Sequence, residues 1–229
     1  MSEYQVYEFI ALDRPLTEKQ MAELRGISTR AEITPTRFWN EYHWGDLKAN
    51  PAELVTRYFD AHLYFANWGT HRLIFRLPAA RVDIKQMRSY LPGHAASLSK
   101  KGEHVVLDLR SETEEPEDDF TRGALLAALL PVRSELLRGD MRAAYIAWLL
   151  AVNANANDVD DATPEPPLPP GLLNLSAPLK VLVEFLRIDP ISFRPPRSAA
   201  VPSRRDEGSS VSTNSRRAAR GSGRASCKT

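Results

Sequence analysis

The chain has 229 residues, 43% of them hydrophobic and 26% charged, a balance that permits a buried core. Its net charge of +1 conceals a split: residues 191–229 carry nine Lys or Arg and two acids, whereas residues 1–190 carry 21 basic and 27 acidic side chains. The single cysteine, Cys227, excludes an intramolecular disulfide and a cysteine-built zinc cluster. The longest apolar run, residues 143–152, falls short of the ~20 residues that cross a bilayer. No basic segment followed by an apolar core opens the chain, so no membrane association and a cytoplasmic location are expected.

Residues 4–12 alternate and then become continuously apolar, with the aromatic and β-branched side chains that favour a strand. Leu16-Thr-Glu-Lys-Gln-Met21 predicts a helix start, with Thr17 as cap, Gln20 as its capping-box partner and Gly26 as the stop. A second strand is expected over 33–44, with Pro35 near its entry. If it is regular, Arg37, Trp39, Glu41 and His43 share one face, and Phe38, Asn40, Tyr42 and Trp44 the other. Asn50-Pro51-Ala52-Glu53 opens a short helix with a good cap and proline at its first position. Residues 62–68 and 70–77 then read as a hairpin turning at Trp68-Gly69.

Asp83 caps a helix that Pro92 and Gly93 bring to an end, and residues 103–110 alternate as a half-buried strand. The acidic stretch 112–119 is expected to be a solvated loop. Leucine-rich helices follow over 121–138, where Pro131 should kink or divide the pattern, and over 141–153. The run 164–170, five of whose seven residues are proline, implies extended chain, and Ser176 caps a last helix ending before Pro190. The arginine-, serine- and glycine-rich tail lacks the apolar residues to offset its ordering entropy and is expected to be disordered.

The order predicts an α+β fold with a mixed or antiparallel sheet. Its rhythm is that of a ferredoxin-like βαββαβ unit with an inserted helix. The expected division is an α+β domain over 1–111, a helical extension over 112–190 and the basic tail over 191–229.

The runs Arg14-Pro-Leu-Thr17, Ile33-Thr-Pro-Thr36 and Asn40-Glu-Tyr-His-Trp-Gly-Asp46 resemble a group of uncharacterised bacterial proteins. The likeness continues through Asn67-Trp-Gly69, Pro169-Pro-Gly171 and Leu186-Arg-Ile-Asp-Pro190. It implies no activity and assigns no site residue. The tail departs from that pattern, and its bias also suits an out-of-frame reading of a GC-rich gene.

Residues 33–46 form the chemically densest stretch. His43 with Glu41 and Asp46, joined by His62 or His71, has the groups for acid–base chemistry or metal binding. No His-x-x-x-His or His-Glu-x-x-His spacing supports a ligand set, so a structural role for these groups is favoured and no metal or cofactor is expected. Gly221-Ser-Gly223 and Cys227 sit in the tail, where no nucleophile elbow can form, and neither a P-loop nor a dinucleotide fingerprint occurs. Arg37, Arg57, Arg72 and Arg76 interleave with Trp39, Tyr58, Trp68 and Phe75 in a pattern that suits single-stranded nucleic acid, but the acidic body has the wrong sign. The leucine face at 125–130 and the helix carrying Trp148 offer apolar surface for a protein partner. The favoured expectation is a non-catalytic interaction or scaffold component. A hydrolase or metal-assisted enzyme centred on His43, Asp46 and Glu41, and a nucleic-acid-binding module, stand behind it. The expected binding residues are Arg37, Trp39, Tyr42, Trp44, Trp68 and Arg72.

Overall fold

A computed structural model of the chain describes residues 3–114, 124–154 and 165–189. The acidic run at 115–119, the polar stretch at 155–163 and the basic tail from 191 therefore lie outside the described residues. The described residues form seven strands: β1 Gln5–Ile10, β2 Glu32–Ile33, β3 Arg37–Tyr42, β4 Ala61–Ala66, β5 Thr70–Pro78, β6 Ala96–Lys101 and β7 His104–Glu112. They form one sheet in the order β2-β3-β1-β4-β5-β7-β6, and every neighbouring pair is antiparallel. The architecture is α+β. The ferredoxin-like rhythm is not confirmed, because a βαβ unit joins parallel strands and this sheet contains no parallel pair.

Side-chain alternation gives the sheet two apolar faces. On one, Tyr7, Phe9, Phe38, Ile74 and Val106 pack under α1 (Glu18–Ile27) and α2 (Pro51–Arg57), which contribute Leu24, Leu54 and Val55. On the other, Val6, Leu63, Phe65, Leu73, Phe75 and Leu107 belong to a larger core. That core takes in α3 (Ile84–Arg88), α4 (Leu125–Leu137), α5 (Arg142–Ala154) and α6 (Ala177–Phe185). Burial of each such side chain contributes roughly 1.5–3 kcal/mol, so the second face dominates the cohesion of the fold.

Three of the expected helix starts are built as the residues suggest. Gln20 N–H donates to Thr17 Oγ1 while Thr17 N–H donates to Gln20 Oε1 at 2.9 Å, a reciprocal capping box. Ala52 N–H donates to Asn50 Oδ1, and Gln86 N–H to Asp83 Oδ1, each at 2.9 Å. Five local expectations are corrected. Ser176 stands at the start of α6, but its Oγ donates to Glu135 Oε1 at 2.8 Å instead of capping the helix. α1 runs through Gly26 to Ile27. The strand expected over 33–44 is broken at 34–36, where Thr34 and Arg37 exchange backbone hydrogen bonds around Pro35, which has no N–H to donate. β6 was not foreseen, because Ala96-Ser-Leu-Ser-Lys-Lys101 is a polar edge strand with one bulky apolar residue. Pro131 lies inside an unbroken α4; both it and Ala127, whose carbonyl loses its donor, are on the exposed side, where water can take the bond.

Polar ties join α4 and α6 to the sheet. Asp60, fully buried, accepts Leu12 N–H and Asp13 N–H on one oxygen and Arg76 Nε and Nη2 on the other. Burial pushes its carboxyl up, but the two backbone donors and the Arg76 guanidinium outweigh that and hold it low. Arg133 of α4 reaches Asp13 Oδ2 at 2.6 Å and the Arg76 carbonyl at 2.8 Å. On α6 the Phe185 carbonyl accepts His71 Nδ1–H at 2.7 Å, so the opposite ring nitrogen accepts from Arg187 Nη2 at 2.8 Å.

Candidate functional site

The register of four pairings places Asn40, Tyr7, Tyr64, Arg72 and Arg110 side by side in one row across β3, β1, β4, β5 and β7. The row runs on the face that α1 and α2 cover, but near the end where the strands β3 and β4 give way to the 43–50 loop and the Trp68 turn. A cavity of about 340 Å³ opens there, between Tyr7, Tyr64, Arg72 and Arg110 on its floor and Asp46, Pro51 and Trp68 on its walls. A second, of about 430 Å³, lies beside it among Ser28, Arg30, Asn40, Tyr42, Trp44 and Lys48. Asp46 lines both.

The polar groups of the first cleft are held by one another. Tyr7 O–H donates to Asp46 Oδ1 at 2.5 Å, and Tyr64 O–H donates to Gln5 Oε1 at 2.9 Å. Gln5 Nε2 in turn donates to the Gly45 carbonyl at 2.8 Å, and Leu47 N–H donates to Asp46 Oδ1 at 2.7 Å, which fixes the loop. Gly45 adopts φ +78°, the left-handed turn that glycine takes without strain. Burial, then the Asp46 hydrogen bond, pushes the Tyr7 phenol far above its ordinary value. Burial and the nearby Asp46 charge push Tyr64 up to about 12. Both phenols are therefore neutral hydrogen-bonding groups at any physiological pH. Arg72 is clamped to Asp108 through Nε and Nη2 at 2.8 and 2.6 Å, and Arg110 to Glu112 through Nε and Nη2.

The expected site residues divide between the two faces. Asp46, Trp68 and Arg72 meet in the first cleft, and Tyr42 and Trp44 line its neighbour with Asp46. Trp44 is 86% exposed and Trp68 39%, at the same end of the sheet. Glu41 and His43 lie on the opposite face, their side chains 2.9 Å apart and His43 beside Tyr4, so the sheet separates them from Asp46. Arg37 and Trp39 share that opposite face. Arg37 donates to the buried Glu8 at 2.7 Å and its guanidinium lies 5.7 Å from the Trp39 ring centre, a contact that already occupies both side chains. Burial pushes the Glu8 carboxyl up against the pull of Arg37.

His62 and His71 are both buried on backbone carbonyls and face opposite sides of the sheet. Among the described residues no group of three or more His, Cys, Asp or Glu side chains is placed to hold one metal ion. Sequence reasoning missed Tyr7, Tyr64 and Arg110. Their common row depends on strand register, which no local spacing in the chain encodes.

Comparison of the chain with protein-family models, with curated proteins and with solved structures finds no match. No helix among the described residues is long and apolar enough to cross a membrane.

Proposed function

We propose that this chain is a non-catalytic interaction component of a cytoplasmic bacterial multi-protein system, and that it docks its partner at the Trp44–Asp46–Trp68 end of the sheet. One observation carries the reading: two tryptophans, one of them 86% exposed, flank an aspartate that lines two adjoining clefts. Tryptophan, tyrosine and arginine are the residues in which binding energy concentrates at protein interfaces, and here all three converge on one end of a rigid sheet. The resemblance to bacterial proteins and the lone cysteine support the setting.

The test is affinity purification of the tagged full-length chain from its native host, beside Trp44→Ala, Trp68→Ala and Leu173→Ala. Leu173 is also exposed, at 77%, but lines neither cleft, so it controls for stickiness. Wild type and Leu173→Ala should recover a stoichiometric protein that both tryptophan variants lose. Equal recovery by all four proteins, or no stoichiometric partner at all, overturns the proposal.

A further inference from the structure

We infer that the partner segment received at this end of the sheet is an acidic peptide, and that Arg72 and Arg110 bind one of its carboxylates inside the Tyr7–Tyr64 cleft. The inference rests on the docking reading above and supplies its chemistry. Arg72 commits Nε and Nη2 to Asp108, and Arg110 commits Nε and Nη2 to Glu112. Among the described residues that leaves each guanidinium both N–H groups of Nη1 and one of Nη2 for a ligand, on neighbouring strands about 4.8 Å apart. The arginine fork suits a carboxylate, and charge-assisted hydrogen bonds of this kind are about twice as strong as neutral ones.

Charge is also segregated in the right direction. The two clefts are lined by Arg30, Lys48, Arg72 and Arg110 against the single acid Asp46, although residues 1–190 as a whole carry more acids than bases. Trp44 and Trp68 add apolar flanks for a neighbouring side chain of the same segment. A nucleic-acid strand fits less well. Its phosphates repeat along the chain, and a track across both clefts would pass Asp46 and meet arginines already half-neutralised by Asp108 and Glu112. A single carboxylate needs no track of cations: it sits between Arg72 and Arg110 and uses the N–H groups that Asp108 and Glu112 leave.

The experiment titrates full-length protein with the peptide Ac-Glu-Phe-Glu-Glu-Phe-Glu-amide, its lysine-for-glutamate counterpart and the oligonucleotide dT12, reading tryptophan fluorescence. The basic tail is common to every variant, so differences between variants report on the cleft. The glutamate peptide should bind saturably, and the Arg72→Gln/Arg110→Gln pair should weaken it about tenfold. Asp46→Asn keeps the oxygen that accepts from Tyr7 and removes the acid lining both clefts, so it should tighten the glutamate peptide about threefold. A misfolded variant cannot produce that gain. The lysine peptide should not bind.

No binding of the glutamate peptide, or equal binding by wild type and the double arginine variant, overturns the inference. Arginine-dependent uptake of dT12 without uptake of the glutamate peptide overturns it in favour of a nucleic-acid surface. If the native partner is lost with Trp44→Ala but retained by the arginine pair, docking at this end stands and the acidic recognition falls.

Discussion

His62 offers a sharp test of how the sheet is assembled. Its ring is fully buried, stacked on Phe9 with centroids 4.0 Å apart, and its Nδ1 lies 2.9 Å from the Glu8 carbonyl. A carbonyl only accepts, so Nδ1 carries the proton, and Nε2 is a buried bare nitrogen with no hydrogen-bond partner. Burial pushes the imidazole down to about 3, with the Glu8 carbonyl opposing and the Arg72 charge reinforcing that direction. The unfolded chain, with a histidine near 6.5, takes up a proton that the folded chain refuses until about pH 3. Stability is therefore full above about pH 6.5 and is lost as pH falls through that window. The slope for one such group is about 1.4 kcal/mol per pH unit, or about 2 kcal/mol between pH 6.5 and pH 5. Urea unfolding of wild type and His62→Phe at about pH 7, 6 and 5 measures it, because the other histidines are common to both proteins. His62→Phe should show a shallower pH dependence by roughly that slope, whatever its stability at neutral pH. Identical slopes in the two proteins would refute the buried neutral imidazole.

Three further outcomes follow from the same geometry. Asp60→Ala leaves Arg76 and Arg133 buried without their shared carboxylate and should cost roughly 3–5 kcal/mol in urea unfolding; a loss below about 1 kcal/mol contradicts the network. Gly69 has φ +103°, and a Cβ there would lie 2.1 Å from the Thr113 carbonyl oxygen. Gly69→Ala should therefore lower the melting temperature by several degrees, through strain of about 1–3 kcal/mol or more. Trp44→Ala, at an 86% exposed position, should change stability by no more than about 0.5 kcal/mol while abolishing partner recovery, and a large loss of stability would count against a docking role.

Helix starts were legible because a cap is a local device: Thr17 with Gln20, Asn50 before Pro51 and Asp83 with Gln86 each lie within four residues. Side-chain parity in β3 was legible too, since alternation alone separates Arg37, Trp39 and Glu41 from Phe38, Asn40 and Tyr42. That alternation placed His43 with Glu41 but carried no information past the turn at Gly45, so the sequence could not say that Asp46 folds back over Tyr7. The cleft was hidden for a similar reason. Tyr64 and Arg72 lie across the expected hairpin, but Tyr7 and Arg110 are far from them in the chain, and only strand order and register set all four in one row. β6 escaped because an edge strand need not be apolar on either side.

The position of the cleft has a simple cause in the lengths of the elements. α2 has seven residues and spans about 10 Å, whereas the nine residues of β5 beneath it run about 30 Å. Helical cover therefore ends before the strands do, with Pro51 at the start of α2 standing on the rim of the cavity. An apolar row left uncovered there would be a liability, and the row is instead Tyr7, Tyr64, Arg72 and Arg110. Their side chains are held by Asp46, Gln5, Asp108 and Glu112, so the site is ordered before any ligand arrives. Such preorganisation lowers the entropy lost on binding, and the proposed partner would meet the remaining hydrogen-bonding capacity of fixed groups. A floor held this way favours recognition by shape and charge at the end of the sheet, with the exposed tryptophans at its edge supplying the apolar contact.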